Sequence, residues 1–178
     1  MAKFEDFKTN LEAVAGECYH ASKADCAGMI AGLYKDAGVD SACIFESDFL
    51  KEIGLKAALE GAGVTVYTDH IRKHAETAKG GISEAQYGIA ELGSLIQAQQ
   101  DVDGRIVATM SEYYVGIIKE SAILDTYDDA FDTIDALDPI PEFVGFITGP
   151  SRTADIECVG TVGVHGPLRM AAVVVQDA

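Results

Sequence analysis

Basic residues are scarce in this chain of 178 residues. Lysine and arginine together number 13, against 29 aspartates and glutamates, which gives a formal net charge of −16. Because a field of that sign repels phosphate backbones and anionic lipids, the composition excludes nonspecific binding to nucleic acid and to acidic membrane surfaces. Hydrophobic residues make up 48% of the chain, an ordinary globular value that excludes disorder of the whole chain.

Long apolar runs and paired cysteines are also missing. No stretch approaches the ~20 apolar residues of a membrane helix, and the start, MAKFEDFKTN, lacks the apolar run of a signal peptide. We therefore expect a cytoplasmic protein without membrane insertion. The four cysteines, at positions 18, 26, 43 and 158, form no CxxC pair, and no histidine shows metal-ligand spacing. We predict no metal and no cofactor, and we interpret the cysteines as small core residues.

Hydrophobic spacing predicts an α/β fold. Apolar residues at three- and four-residue steps predict one helix from Phe4 to Cys18 and a second that ends at Gly38. Two β-branched or apolar runs, Ser41–Phe45 and Val64–Tyr67, predict strands on either side of a further helix. This order favours parallel strands with helical crossovers. The length predicts a single domain over residues 1–178, with a helical N-terminal part (1–40) and an α/β core (41–178).

The middle of the chain predicts short strands followed by an acidic helix. The runs Ser94–Ala98, Arg105–Met110 and Tyr113–Ile118 predict strands, with a turn between the first two. Lysine and arginine are absent from Ser121 to Glu142, where acidic residues alternate with apolar ones at helical spacing. This pattern predicts an amphipathic helix around Asp125–Asp138 with an acidic, solvated outer face.

The segment that follows the predicted strand Phe143–Ile147 has the composition of an anion site. A strand, a glycine turn and then Ser or Thr at a helix start would direct free backbone N–H groups towards an anion. Arg152 would add a planar cation suited to carboxylate or phosphate. The predicted ligand-binding residues of this turn are Thr148, Gly149, Ser151, Arg152 and Thr153. The same spacing also fits a plain helix cap in which Arg152 pairs with a local carboxylate.

A second loop, Gly163-Val-His-Gly-Pro167, lies close behind in the sequence. Glycines allow the backbone to approach a ligand closely, and the histidine titrates near neutral pH. A turn histidine bonded to local backbone is the alternative. In open α/β folds ligands bind at one edge of the sheet. We therefore expect Arg152 and His165 to face one cleft, with Glu91 and Ser94 on its opposite wall.

These segments resemble a known family. The run Thr148–Glu157, followed by Gly163–Pro167, is similar to the signature of the LUD domain, the domain of the lactate-utilization protein C family. The run Tyr87–Ser94 is similar to the family's IAxTGT region. The resemblance implies a NagB/RpiA/CoA-transferase-like fold, a mostly parallel open sheet flanked by helices. It also implies iron–sulfur partner proteins that together with the family member oxidise L-lactate to pyruvate.

The resemblance favours a small-acid-binding or accessory subunit in iron–sulfur-dependent lactate oxidation, with a small anionic ligand. Glu91 and His165 are the candidate catalytic residues, and Gly93, Ser94, Gly163 and Gly166 complete the predicted ligand-binding set. Two alternatives stay open. One is a sugar-phosphate isomerase-like or CoA-transferase-like enzyme of the same fold. The other is a non-catalytic interaction protein that docks a basic partner through its acidic helix.

Overall fold

The computed structural model describes residues 2–154 and 160–176. The helices are α1 (Ala2–Ala13), α2 (Lys23–Asp36), α3 (Asp48–Glu52), α4 (Leu55–Gly61), α5 (Ile71–His74), α6 (Val102–Met110) and α7 (Tyr127–Asp135), with short 3₁₀ turns at Ala90–Leu92 and Glu120–Ala122. The strands are β1 (Glu17–Ala21), β2 (Ser41–Phe45), β3 (Thr65–Tyr67), β4 (Gly80–Glu84), β5 (Tyr87–Ile89), β6 (Ser94–Gln99), β7 (Tyr113–Lys119), β8 (Ile123–Leu124), β9 (Phe143–Ile147), β10 (Arg152–Ala154), β11 (Gly160–Val162) and β12 (Arg169–Val175).

The main sheet has six strands in the order β1-β12-β7-β4-β2-β3. Every neighbouring pair in it is parallel. Parallel strands need crossover connections, and helices supply them between β1 and β2, β2 and β3, and β3 and β4. The predicted α/β fold with a mostly parallel sheet is confirmed.

The core lies on both faces of this sheet because the central strands are apolar on both sides. Along β12, Ala171 and Val173 pack with the helices α2 and α4, whereas Ala172 and Val174 pack with α1 and β6. Strands buried on both faces read as continuous apolar runs rather than as alternating ones. The cysteines at positions 18, 26 and 43 are buried, as predicted; Cys158 lies outside the described residues.

A smaller four-stranded sheet has the order β8-β5-β6-β9. Its strands β5 and β6 lie between β4 and β7 in the sequence, and β8 and β9 lie between β7 and β12. Helix α7 packs on one side of it through Ala130 and Ile134, which contact Ile89 and Ile96. Thr126 and Asp129 form a capping box that fixes the start of this helix. The predicted acidic helix is therefore present, and strand β9 at the edge of the small sheet leads into the predicted anion-binding turn.

Two elements differ from the sequence predictions upstream of that turn. The predicted helix from Phe4 to Cys18 ends at Ala13, and Glu17–Ala21 forms the edge strand β1 of the main sheet. The run Arg105–Met110 belongs to helix α6 instead of a strand. The β-branched pair Ile106-Val107 suggested a strand, but the Asp101 side chain caps a helix by accepting from the Asp103 N–H.

The segment after β9 also departs from prediction. Residues Arg152–Ala154 form strand β10, which pairs antiparallel with β11. The strand-to-helix turn predicted at Thr148–Thr153 is therefore wrong: the turn leads into a hairpin strand. The strand before the turn and the strand after the histidine loop are not sheet neighbours, because β9 belongs to the small sheet and β12 to the main one.

Candidate functional site

A pocket of about 380 Å³ lies between helix α6, the strand β9 and two loops. Its volume is within the range of small-molecule sites. The first loop follows β9 of the small sheet, and the second precedes β12 of the main sheet. The second loop therefore lies at the amino end of β12, whereas open α/β folds usually bind ligands at the carboxyl ends of their strands. Its lining consists of Gln97, Arg105, Ala108, Thr109, Phe143, Gly145, Phe146, Ile147, Thr148, Gly149, Pro150, Ser151, His165, Gly166 and Pro167.

Arg105 is the arginine in this pocket. Its guanidinium carbon lies 4.9 Å from the centre of the Phe143 ring, at a distance that permits a cation–π contact. Its Nε atom is buried and has no hydrogen-bond partner among the described residues. A buried donor of a charged group without a partner is costly, so the site favours an incoming acceptor.

One turn further along α6, Thr109 extends the same side of the helix into the pocket. Its hydroxyl donates to the Arg105 carbonyl oxygen at 2.8 Å, which leaves the hydroxyl oxygen available as an acceptor. Arg105 and Thr109 therefore present a cation and a hydroxyl from one rigid element.

A buried polar network holds Gln97, another lining residue of the pocket. The Gln97 side-chain amide donates to the Ser83 hydroxyl at 2.5 Å and to the Tyr114 hydroxyl at 3.2 Å, and these two hydroxyls are 2.8 Å apart. Burial raises the pKa of Tyr114 to about 12, so this hydroxyl stays protonated at neutral pH. The network fixes the orientation of Gln97, which lines the pocket.

Hydrogen bonds hold the two loops of the pocket together. The Ser151 N–H donates to the Pro167 carbonyl and the Ser151 carbonyl accepts from the Gly163 N–H, both at 2.9 Å. The His165 N–H donates to Ser151 Oγ at 3.4 Å. This pairing places the exposed His165 beside the Ser151 hydroxyl.

Five residues of the predicted set line the pocket together: Thr148, Gly149, Ser151, His165 and Gly166. Ser94 is buried and contacts the site indirectly, through a 2.5 Å hydrogen bond between its hydroxyl and that of Thr148. The structure thus brings the two family-like segments together.

Two predicted glycines serve the backbone instead of the pocket. Gly93 has φ = +61° and Gly163 has φ = +77°, in the left-handed region that favours glycine. A Cβ atom at Gly93 would collide with the backbone of Leu11, and one at Gly163 would collide with the Leu168 side chain. Both glycines are required for close packing and do not line the pocket.

The structure does not bring the remaining predicted residues to the pocket. Arg152 is exposed on β10 and, with Thr153, pairs with β11, so neither lines the pocket. Glu91 is also exposed, and its Oε1 accepts the Tyr127 N–H at the start of α7 at 2.5 Å. Of Arg152, His165 and Glu91, the structure brings only His165 to this pocket.

Sequence reasoning missed the residue that supplies the charge. In the predicted strand Arg105–Met110, Arg105 and Thr109 would share a face but lie about 13 Å apart along it, whereas in α6 a single helical turn separates them. The available signal was the Asp101 cap, followed at helical spacing by Arg105 and Thr109.

Known proteins that resemble this chain identify its family. A family model described as the LUD domain matches residues 4–175. The chain belongs to the LUD-domain family. A relative from Escherichia coli K12, named uncharacterized protein YkgG, is 30% identical over 169 residues, which are 90% of this chain and 73% of that protein. The predicted family is confirmed.

Other members of the LUD family have names that refer to lactate. Lactate utilization protein C 1 of Bacillus mycoides is 29% identical over 93% of this chain and 76% of that protein. Lactate utilization protein C of Bacillus licheniformis is 31% identical over 87% of this chain and 72% of that protein. A crystal structure of a DUF162 family protein from Deinococcus radiodurans superposes with a TM-score of 0.68 at 17% identity, covering 98% and 96% of the two chains. This last likeness supports the fold.

Two further findings concern the described residues of this LUD-domain chain. None of its helices there is long and apolar enough to cross a membrane. Within residues 2–154 and 160–176, no three His, Cys, Asp or Glu side chains are grouped so as to hold a metal ion.

Proposed function

We propose that this LUD-domain protein takes part in lactate utilization in the cytoplasm, where it binds a small carboxylate in the pocket beneath α6. The names of its relatives, lactate utilization protein C, support the assignment to lactate utilization. Iron–sulfur proteins of lactate oxidation are the partners in this proposal, and the present chain supplies the anion-binding subunit.

The charge of the pocket lining is the observation that carries the proposal. The described lining includes Arg105 and His165, and it includes neither aspartate nor glutamate. The chain as a whole has 29 acidic residues against 13 basic ones. A pocket that excludes the commonest charge of its own protein is suited to an anion, because the local attraction is not cancelled by nearby carboxylates.

The geometry favours a carboxylate held by several donors. A guanidinium presents a planar fork that matches the two oxygens of a carboxylate. Hydroxyl groups of Thr148 and Ser151 line the same space and can donate to the ligand's remaining oxygens. The Phe143 ring covers the guanidinium, and that contact strengthens the electrostatic attraction by excluding water. His165 would orient the ligand or exchange a proton with it.

Isothermal titration calorimetry tests the proposal. L-lactate, pyruvate, a sugar phosphate and an acyl-CoA are titrated into the wild-type protein and into an Arg105→Met variant, which removes the charge and keeps an unbranched apolar stem. We expect lactate or pyruvate to bind the wild type, and the variant to bind about 10- to 150-fold more weakly, as for loss of a charged hydrogen bond of about 1.5–3 kcal/mol.

A matched control is Arg72→Met, because Arg72 is exposed on α5 and does not line the pocket. Its affinity should equal that of the wild type. Equal weakening in both variants would contradict a specific site and indicate bulk charge. If only the sugar phosphate or the acyl-CoA binds, and Arg105→Met weakens that binding, the proposed carboxylate is wrong and the ligand is a phosphate. The isomerase-like alternative lacks a supporting observation, since Glu91 does not line the pocket.

A further inference from the structure

The small sheet covers only part of the apolar side of α7. Ala130 and Ile134 are buried against that sheet. Tyr127 and Phe131, on the same side of the helix, remain 43% and 47% exposed. Large apolar side chains left exposed together, rather than singly, mark interaction surfaces.

Strand β9 completes an aromatic cluster with these two residues. The ring centres of Tyr127 and Phe131 are 4.6 Å apart, and the Phe146 ring lies 5.9 Å from each of them. Phe146 is itself 39% exposed. We call Tyr127, Phe131 and Phe146 the aromatic patch. Exposed aromatic side chains already held by their neighbours lose little conformational entropy on binding, which suits them to act as anchors.

The rim of the aromatic patch is acidic. Asp128, Asp132 and Asp135 are exposed on α7 and form no ion pair with any of the described residues. Over residues 121–142 the sequence has seven acidic residues and no lysine or arginine. Lys3 of α1 pairs with Asp125 and offsets this charge only in part. The patch therefore combines an apolar centre with a negative rim, the arrangement of interfaces that have a hydrophobic core and a polar edge.

We propose that the aromatic patch and its acidic rim dock a protein segment that combines apolar side chains with lysine or arginine. Charge complementarity selects this occupant. A second copy of the chain would bring −16 against −16, and an anionic membrane would likewise be repelled. The proposal is independent of the carboxylate pocket, although Phe146 also lines that pocket and makes the two sites neighbours.

Fluorescence anisotropy with labelled synthetic peptides tests the surface. The probe is an amphipathic peptide of leucine and lysine; one control peptide has glutamate in place of lysine, and another has serine in place of leucine. We expect the leucine–lysine peptide alone to bind, with an affinity that falls as salt is added, because rim charges are screened. Binding of the serine-containing peptide with equal affinity would overturn the proposal.

Variants locate the binding on the molecule. Phe131→Ser should weaken binding of the leucine–lysine peptide about tenfold or more, whereas Phe131→Tyr, which keeps the ring, should retain it. Asp132→Asn should weaken it, and Asp36→Asn, at an exposed acid of α2, should leave it unchanged. Because Phe131 is 47% exposed, we expect these variants to fold, and urea unfolding of each one tests this.

Three results would overturn the proposal. Equal effects of Asp132→Asn and Asp36→Asn would show attraction to the overall charge only. An unchanged affinity of the folded Phe131→Ser variant would show that the aromatic patch is not used. Sedimentation that reveals a dimer of the free protein, dissociated by Phe131→Ser, would identify a second copy as the occupant instead.

Discussion

Gly81 in the central strand β4 provides a sharp test of how α6 is held against the main sheet. Strand β4 lies between β7 and β2, and Gly81 pairs with Tyr114 on one side and Cys43 on the other. A Cβ atom at Gly81 would collide with the carbonyl oxygen of Val107 on α6 and would lie 2.7 Å from Ser111 Oγ. A Gly81→Ala substitution therefore pushes directly on the helix that positions Arg105.

The expected magnitude follows from what must move. Overpacking a core costs about 1–3 kcal/mol, and here the obstacle is the backbone at the end of α6, which cannot rotate away as a side-chain tip could. The Ser111 hydroxyl also donates to the Val107 carbonyl at 3.1 Å, and the new methyl group would disturb that bond. We expect a loss of about 2–3 kcal/mol in the free energy of unfolding, or about 4–12 °C in Tm.

The matched control makes the same substitution where space is available. Gly28 is exposed in the interior of α2, and a Cβ atom there would meet nothing within 4 Å. Gly28→Ala should stabilise the protein by about 0.5–1 kcal/mol, because alanine is the better helix former. Urea unfolding of both variants measures the difference, which we expect to be about 2.5–4 kcal/mol. Equal stabilities of Gly81→Ala and the wild type would refute the described packing of α6 on β4.

Two further predictions concern buried polar groups. Tyr114→Phe removes the hydroxyl shared by Ser83 and Gln97, so urea unfolding should show a loss of about 1–3 kcal/mol; unchanged stability would contradict the network. In a Cys158→Ser variant the three described thiols should react with DTNB only after unfolding, since burial raises their pKa to about 11 or about 12. The pKa of a thiol in the unfolded chain is near 9.0. Above that pH the unfolded chain loses thiol protons that the folded protein keeps, so the free energy of unfolding should fall as the pH rises. A free energy of unfolding that stays constant from below pH 9 to above it would contradict the prediction.

The main sheet could be predicted from the sequence because its signals are local. The runs Ser41–Phe45 and Tyr113–Ile118 are apolar and bounded by turn residues, so they indicate buried strands without tertiary information. Strand β1 was missed because its five residues follow α1 after a short break, and Cys18 happens to continue the helical spacing of Phe4 and Leu11. A short edge strand has too few residues for its own period to outweigh a neighbouring helix.

The site was predictable in part. The family-like segments located Thr148, Ser151 and His165, since a motif specifies residues that stay together in sequence. Arg105 comes from a separate helix, and its approach depends on how α6 packs between the two sheets, which no local pattern records. Arg152 was the natural choice from its position in the motif, but the hairpin pairing of β10 leaves it on the exterior.

A crystal structure of the protein grown with L-lactate or pyruvate tests the central claim most directly. The account predicts density for a carboxylate in the pocket between α6 and β9, with its oxygens within hydrogen-bond distance of the Arg105 guanidinium. Density for the ligand at another place, or an Arg105 guanidinium paired with one of the protein's own carboxylates while the pocket excludes the ligand, would contradict it.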